Sequence, residues 1–253
     1  MKPTVSVIFV IAVSLHSYSS VANCQGQAPE PSLAAQVVDP TAPLKVLTLQ
    51  DQFAPSLWGI NDNDNEVAIR IAIPHNAFGA PNIMRLTVPY ITSQPSGKRG
   101  LSDVAIFDIV INERKWGTLV YGGVASAGPN KGAGLNTFAI GPVLGAVFKK
   151  HKWTYGIFNQ NLLSFGDIDN TQLQPILAYT FSDKVSLNYG DAQFTFDWNK
   201  ERFVNVPASL QVNYIASVAK QPIRLFVNPQ YNIVNEAGTR KWSITTGFAL
   251  IVK

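Results

Sequence analysis

Apolar residues recur at every second position along most of this chain. In 223–234, IRLFVNPQYNIV, the odd positions are mostly apolar and the even positions mostly polar, and only Phe226, Pro229 and Val234 break the pattern. Because successive side chains of a β-strand point to opposite faces, the pattern indicates a strand with one apolar and one polar face. In a soluble sandwich the apolar face meets a core. In an outer-membrane barrel it meets lipid, and the polar face lines the lumen.

The alternation begins after the polar loop 61–66 and continues to the C-terminus. It predicts about eleven strands, or about twelve if the change of phase at Gly190-Asp191 is a hairpin turn rather than a bulge in one strand. Short connections such as 112–115 and 182–184 favour antiparallel neighbours in up-and-down order. We favour about twelve, because an even number places both ends of a barrel on the periplasmic side.

The composition favours lipid over a second sheet as the partner of the apolar faces. Charged residues make up 14% of the chain, against about 25% in soluble domains. The polar faces carry mainly Gly, Ala, Ser, Gln and Asn, whereas a soluble sandwich has Lys and Glu there. Aromatic residues cluster near strand ends, as the girdles of membrane barrels do. These residues are Trp116, Trp153, Tyr155, Phe181, Trp198, Phe203 and Trp242. The predicted fold is therefore an all-β, antiparallel, up-and-down transmembrane β-barrel with a short N-terminal extension; the alternative is a soluble sandwich or lipocalin-like barrel.

The first residues predict a cleaved secretory signal. Lys2 supplies the positive charge, residues 5–15 the apolar segment, and Ser20-Val21-Ala22 a cleavage site of small residues. The single cysteine, Cys24, excludes an intramolecular disulfide. The preceding residues are a weak match to a lipoprotein cleavage box, so lipidation of Cys24 stays open.

These features divide the chain into three parts. We assign 1–22 to the signal peptide, 23–60 to a leader with a plug-like segment, and 61–253 to the barrel. Within the leader, the spacing of Leu and Val in 43–59 fits both a strand and a helix. A short helix or an irregular, plug-like segment is favoured there.

Nucleic-acid binding, catalysis, metal binding and cofactor binding are not predicted. The net charge is only +4 without a dense Lys/Arg run, which argues against a nucleic-acid surface. His75 and His151 remain after the signal, and neither has a Ser two positions further along a strand, so each is interpreted as a solvated loop residue. The acidic loop 61–66 lacks the spacing of a calcium loop, and 128–134 lacks the ending of a phosphate loop.

Several segments in a consistent order resemble the bacterial outer-membrane family labelled "MetA-pathway of phenol degradation". They are 49-LQDQFAPSLWG-59, 85-RLTVPYITS-93, 100-GLSDVAIFDIV-110, 134-GLNTFAIGPVLGAVF-148, 172-QLQPILAYTF-181, 197-DW-198 and 221-QPIRLFVNPQYNIV-234. The resemblance covers about Leu49 to Lys253. It implies a β-barrel in the bacterial outer membrane that transports small hydrophobic or aromatic compounds. The chain departs from the usual pattern of such barrels by ending in Val252-Lys253 rather than in an aromatic residue read by the assembly machinery.

Strand parity selects the side chains expected to face the lumen. They are Arg70, Arg85, Asp108, Gln172, Gln174, Gln211, Asn213, Arg224, Asn228, Gln230 and Asn232. The predicted mechanism is diffusive passage of small amphipathic or aromatic solutes, with Arg224 and Asp108 setting the electrostatic field. The expected partners are outer-membrane lipid and, during insertion, the barrel-assembly machinery. The alternatives are a structural or adhesive barrel without transport, and a soluble secreted β-barrel that binds apolar ligands.

Overall fold

The computed structural model describes most of the chain after the predicted signal. The described residues are 31–77, 79–129, 132–135, 137–164 and 169–252. The predicted signal peptide, its cleavage site and Cys24 lie outside them. No helix among the described residues has the length and apolarity needed to cross a membrane.

The described residues form one short helix and sixteen strands. The helix is α1 (Leu33–Gln36). The strands are β1 (Lys45–Leu57), β2 (Asp64–Ala77), β3 (Ala80–Ser93), β4 (Gly100–Leu101), β5 (Val104–Arg114), β6 (Gly117–Ala127), β7 (Ala139–Lys150), β8 (Trp153–Ser164), β9 (Asp169–Thr180), β10 (Val185–Asn188), β11 (Phe194–Asp197), β12 (Arg202–Asn205), β13 (Pro207–Ser209), β14 (Gln211–Val218), β15 (Gln221–Asn232) and β16 (Arg240–Val252).

These strands close into an antiparallel barrel of twelve strands, which confirms the predicted fold class. Strand β16 pairs with β1 from Lys45 opposite Val252 to Leu57 opposite Arg240. Strand β10 completes the ring by pairing with β9 on one side and β14 on the other. Apart from the short β4 and the β11–β12–β13 section, neighbours in the ring follow chain order, as the short connections predict.

The twelfth strand comes from a segment that the sequence does not assign to the barrel. The prediction of a short helix or plug-like segment in 43–59 is wrong, because this segment contains strand β1. Leu47 and Leu49 lie on its exposed face and Thr48 and Gln50 on its buried face. The spacing alone fits either structure, but pairing with both β2 and β16 satisfies the backbone only as a strand. The barrel therefore begins at Lys45 rather than at residue 61.

The change of phase at Gly190-Asp191 is an interruption within one strand, not a hairpin turn. Strands β10 and β11 both pair antiparallel with β9, so they run in the same direction along it. Residues 189–193 between them leave the sheet. Gly190 has a φ of +73°, and a Cβ at this position would lie 2.1 Å from Nδ2 of Asn228. Only glycine fits this backbone conformation without strain.

The two ends of the barrel differ in the length of their connections. At the end that holds Lys45 and Val252, which we call the terminal end, neighbouring strands are joined by short turns such as 115–116 and 151–152. At the opposite end, which we call the loop end, the connections include 94–103 and 233–239. In outer-membrane barrels the short turns face the periplasm and the longer loops face outward.

The outer face of the ring is apolar, with aromatic residues near both rims. Exposed aliphatic side chains on this face include Leu47, Ile69, Leu144, Leu177 and Leu225. Exposed aromatic residues lie near the terminal end at Trp116, Trp153, Tyr155 and Phe181, and near the loop end at Trp198, Phe203 and Trp242. This arrangement suits hydrocarbon between two interfacial girdles.

One wall of the interior is also apolar. Strand β5 points Phe107, Ile109 and Ile111 inward, where they pack with buried residues of β3 and β6 to β9. Its Ile106 faces outward. The sequence-based expectation that Asp108 faces the lumen would turn these three residues toward lipid, and that assignment is wrong. A strand that is apolar on both faces offers no parity signal, so pairing with β3 and β6 decides its orientation.

Two adjacent glycines of β6 allow a test of how closely the strands approach. A Cβ on Gly122 would lie 2.1 Å from the carbonyl oxygen of Asp108, whereas a Cβ on Gly123 would meet nothing closer than 3.7 Å. We expect Gly122→Ala to lower the free energy of unfolding by about 1–3 kcal/mol, the usual cost of overpacking. Gly123→Ala, the matched control, should change it by less than about 0.5 kcal/mol. Urea titration of the refolded protein, followed by tryptophan fluorescence, measures both. Equal effects of the two variants would contradict the close approach.

Candidate functional site in the barrel lumen

The described inner-face residues line a pair of neighbouring cavities. The first, of about 170 Å3, is lined by the N-terminal segment 36–44 together with inner-face residues, and we call it the terminal cavity. The second, of about 210 Å3, is lined by residues such as Gln230 and Arg240 near the loop end, and we call it the loop cavity. Both are bordered by Arg70 and Asp191. Asp191 therefore lies at the boundary between them.

The inward segment 189–193 brings a carboxylate to arginines from the other side of the ring. Asp191 forms an ion pair with Arg70 of β2 and lies 3.7 Å from Nη1 of Arg85 on β3. Gln174 of β9 donates a hydrogen bond to Oδ1 of Asp191 at 3.3 Å. The Asp191 side chain is nevertheless 47% exposed, because it borders both cavities. This cluster crosses the lumen where the two cavities meet.

The N-terminal segment occupies the lumen at the terminal end. Ala34 of helix α1 is fully buried and packs with Ile215 of β14 and Ile251 of β16. Arg224 of β15 donates a hydrogen bond of 3.0 Å to the carbonyl oxygen of Val37. Part of the predicted leader, residues 31–44, thus lies inside the barrel as a plug. We call it the inner segment.

An ion pair fastens the inner segment to the rim. The buried Asp39 carboxylate accepts from Nζ of Lys149 on β7 at 2.5 Å. The same carboxylate accepts from the backbone N–H of Thr41 at 2.9 Å and from its hydroxyl at 2.6 Å. The inner segment is therefore held by charge at this point and by apolar packing at α1.

The terminal cavity has one cationic and amide wall and one apolar wall. Its apolar lining includes Ile83, Phe107, Phe158 and Ile176. The Arg85 guanidinium lies over the Phe107 ring at 5.0 Å, within the range of a cation–π interaction. Arg224 lies similarly over Phe226 of β15, at 4.9 Å. These contacts hold the guanidinium planes in place at the junction of the two walls.

Buried amides fill the side of the lumen near β14 and β15. Asn213 and Asn228 are 0% and 1% exposed. Gln211 donates to Oδ1 of Asn213 at 2.7 Å, and Asn213 donates to Oδ1 of Asn188 at 3.0 Å. Asn228 accepts from the Ser209 hydroxyl at 3.1 Å. Because these amides are satisfied by neighbouring side chains, they hold the wall together, and Asn228 also borders the loop cavity.

The remaining amide candidates lie closer to the loop end of the barrel. Gln230 lines the loop cavity. Asn232 is buried and accepts from the backbone N–H of Val206 at 2.8 Å, which joins the residue between β12 and β13 to β15. Gln172 lies on β9 opposite Thr195 of β11. Of the predicted lumen residues, the structure thus places Arg70, Arg85, Gln174, Gln211, Arg224, Asn228 and Gln230 on the two cavities.

Asp108 does not face the lumen. Its neighbours Phe107 and Ile109 point inward, so Asp108 points outward, where its side chain is 44% exposed. It accepts a hydrogen bond from Nε2 of His75 on β2 at 3.0 Å, so His75 is a paired strand residue rather than a solvated loop residue. Parity misplaced Asp108 because β5 is apolar on both faces.

The pair of His75 and Asp108 has no nucleophile at the positions facing it. Met84 and Gly123 flank Asp108 on the adjoining strands, and Asn82 lies opposite His75. None of these residues carries a hydroxyl or a thiol. A catalytic triad needs such a group within hydrogen-bond reach of the histidine.

Arg240 and Asp191 are functional candidates that the sequence does not reveal. Arg240, near the loop end, forms ion pairs with Asp64 at 3.0 Å and with Glu66 at 3.4 Å. The acidic loop 61–66 thus supplies partners for an arginine. Asp191 lies at the change of strand phase, and that change was the signal available for finding it.

The loop end carries a second charged cluster. Glu236 accepts from Nζ of Lys200 at 2.8 Å and from Arg202 at 2.7 Å, joining the turn 198–201 to the connection 233–239. The hydrogen bond from Lys200 lowers the pKa of the Glu236 carboxyl below its ordinary value. The link between these loops is therefore present at neutral pH and weakens only as the pH falls through that lowered pKa.

No family model and no curated protein sequence matches the chain. Among solved structures, it is similar to the KdgM porin, with a TM-score of 0.57 and 8% identity over 82% of this chain and 99% of that chain. It is also similar to the COG4313 outer membrane channel from Pseudomonas putida F1, with a TM-score of 0.56 and 10% identity over 83% of this chain and 94% of that one. The fold is that of an outer-membrane β-barrel. At these identities the similarity establishes the fold alone, so membership of the phenol-degradation family stays a prediction.

The ion pair at the rim allows a test of how the inner segment is held. Lys149→Gln removes the cationic partner of the buried Asp39 carboxylate, whereas Lys150→Gln removes an exposed charge one position away. We expect Lys149→Gln to speed proteolytic cleavage within 31–44 of the folded barrel by about tenfold, the effect of losing one charged hydrogen bond. Lys150→Gln should leave the rate unchanged. Mass spectrometry of the fragments measures the rate and site of cleavage. Resistance equal to that of the unsubstituted protein would show that Lys149 does not hold the segment.

Proposed function

We propose that this protein is a passive outer-membrane channel for small amphipathic or aromatic solutes. The observation that carries the proposal is the terminal cavity, in which arginine and amide groups face an apolar wall that includes Phe107 and Phe158. A solute with a polar end and an apolar body can contact both walls at once. Neither a purely polar nor a purely apolar lumen offers this.

The constrictions indicate small solutes. The inner segment occupies part of the lumen at the terminal end, and 189–193 brings Asp191 into the lumen between the two cavities. The inner segment and 189–193 are held by side-chain ion pairs, hydrogen bonds and a few apolar contacts. These contacts rearrange far more easily than the paired strands of the barrel wall. Diffusive passage therefore proceeds past Asp191 and the inner segment without opening the ring of strands.

The proposal places the protein in the bacterial outer membrane after cleavage of the predicted signal. Its apolar outer face supports contact with lipid, and insertion by the barrel-assembly machinery follows from that location. The function proposed is transport without a catalytic step. A structural or adhesive barrel is the competing function, and it predicts no current across a membrane.

Conductance of the refolded protein in planar lipid bilayers tests the proposal. Two adjacent threonines of β16 provide a matched pair of variants: Thr245 is buried and lines the loop cavity, whereas Thr246 is exposed on the outer face. We expect discrete current steps from the unsubstituted protein. Thr245→Trp should reduce the step size severalfold because the indole fills the cavity. Thr246→Trp should leave it unchanged because the indole lies in lipid.

Two outcomes of this experiment would contradict the proposed channel. An absence of current from folded protein, checked by its heat-modifiable migration on a gel, would reject the channel in favour of a structural or adhesive barrel. An equal reduction by Thr245→Trp and Thr246→Trp would show that current does not pass through the lumen described above.

A further inference from the structure

The part of the lumen around Asp191 carries more positive than negative charge. Arg70, Arg85 and Arg224 line the terminal cavity together with Asp191. Asp191 contacts the first two and lies in the electrostatic field of the third. Within the described part of the chain, no other carboxylate lies within salt-bridge distance of these three side chains. Three guanidinium groups against one carboxylate leave an excess of two positive charges.

The arginines also have donors that the protein does not use. Nε of Arg70 and Nε of Arg224 are buried, and neither has an acceptor among the described residues. Arg224 pairs with no described carboxylate and donates from Nη1 to the backbone of Val37. The fork of N–H groups on a guanidinium matches the two oxygens of a carboxylate. The excess positive charge and the guanidinium groups that line the cavity therefore point to a carboxylate ligand.

The surroundings of these donors specify the rest of the ligand. Phe107 and Phe226 hold the Arg85 and Arg224 guanidinium groups in place by cation–π contacts. Phe158 and Ile176 line the same cavity, so the cationic site borders an apolar surface. A hydrated inorganic anion would leave that surface without a partner. An organic anion with an apolar body covers it and gains the hydrophobic contribution.

We infer that the terminal cavity binds small monovalent carboxylates with an aromatic or branched aliphatic body. The carboxylate lies against Arg70 and Arg224 beside Asp191, and the apolar body lies against Phe107 and Phe158. The role of this site in selecting solutes rests on the proposed channel function, but binding at the site does not require current. The inference narrows the solute class from amphipathic molecules in general to organic acids.

Calorimetric titration of the refolded protein in detergent tests binding with three probes of nearly equal shape. Benzoate carries the carboxylate, benzamide replaces it with a neutral amide, and benzylamine is a cation at neutral pH. We expect benzoate to bind at least about tenfold more tightly than benzamide, as for one charged hydrogen-bonding group. Benzylamine should not bind. Benzoate affinity no greater than that of benzamide would overturn the inference without any variant.

Substitutions then locate the site. Arg224→Gln should weaken benzoate binding by about tenfold and leave benzamide binding unchanged. Asp191→Asn removes the competing carboxylate and should strengthen benzoate binding. Lys115→Gln removes the same charge from an exposed turn at the terminal end and serves as the control. Equal weakening by Lys115→Gln and Arg224→Gln would assign the effect to overall charge and overturn the site. Heat-modifiable migration establishes that each variant is folded.

A bilayer experiment separates this inference from the proposed function. Under a potassium chloride gradient, the reversal potential reports anion preference, and added benzoate should reduce the chloride current more than benzamide does. Current without any effect specific to benzoate would overturn the carboxylate site and leave the channel intact. Carboxylate binding in the calorimeter without current would support the site and reject the channel.

Discussion

Complete pairing of backbone hydrogen bonds is the constraint on which the rest of this structure depends. In hydrocarbon no water can satisfy an unpaired N–H or C=O group, so a sheet can cross a membrane only as a closed ring. Strand β1 makes closure possible because it pairs with β2 on one edge and β16 on the other. Once the ring is closed, the alternation of side chains assigns one face to lipid and the other to the lumen.

The interruption of the ring at residues 189–193 shows how strong that constraint is. Where residues 189–193 leave the sheet, side chains replace the missing ladder. The Tyr189 hydroxyl donates to the carbonyl oxygen of Pro207, and the Ser209 hydroxyl donates to that of Tyr189 at 2.7 Å. Asn232 accepts from the backbone of Val206 on the other side. Because these side-chain hydrogen bonds satisfy the neighbouring backbone, residues 189–193 can leave the sheet and place Asp191 in the lumen.

That inward segment organises the electrostatics of the lumen. Arginines on β2 and β3 would otherwise repel one another across a narrow space, and Asp191 holds both. Nε of Arg224 has no acceptor among the described residues, and Nη1 of Arg224 donates to the backbone of the inner segment. The buried amides near β14 and β15 contribute differently, because they satisfy one another and stiffen the wall. Charge and rigidity thus belong to separate groups of residues in the same lumen.

The pattern of the sequence was sufficient for the overall fold and for much of the inner face. Strands such as β15 and β16 have one large apolar face, so their orientation follows from parity. Arg70, Arg85 and Arg224 are accordingly placed on the inner face both by parity and by the structure. Parity failed at Asp108, because both faces of β5 are apolar. It also failed at 43–59, because the spacing of apolar residues there fits a helix as well as a strand.

The sequence by itself determined that the chain forms strands, most of them with one apolar face, since a period of two is a local property that does not depend on neighbouring strands. Only the tertiary structure decided which strand closes the ring, which face of β5 turns inward and where Asp191 lies. Each of these depends on pairing between residues far apart in the chain, such as Lys45 with Val252 and Asp191 with Arg70. A local pattern cannot encode such pairings, because their free energy arises only when the distant segments meet.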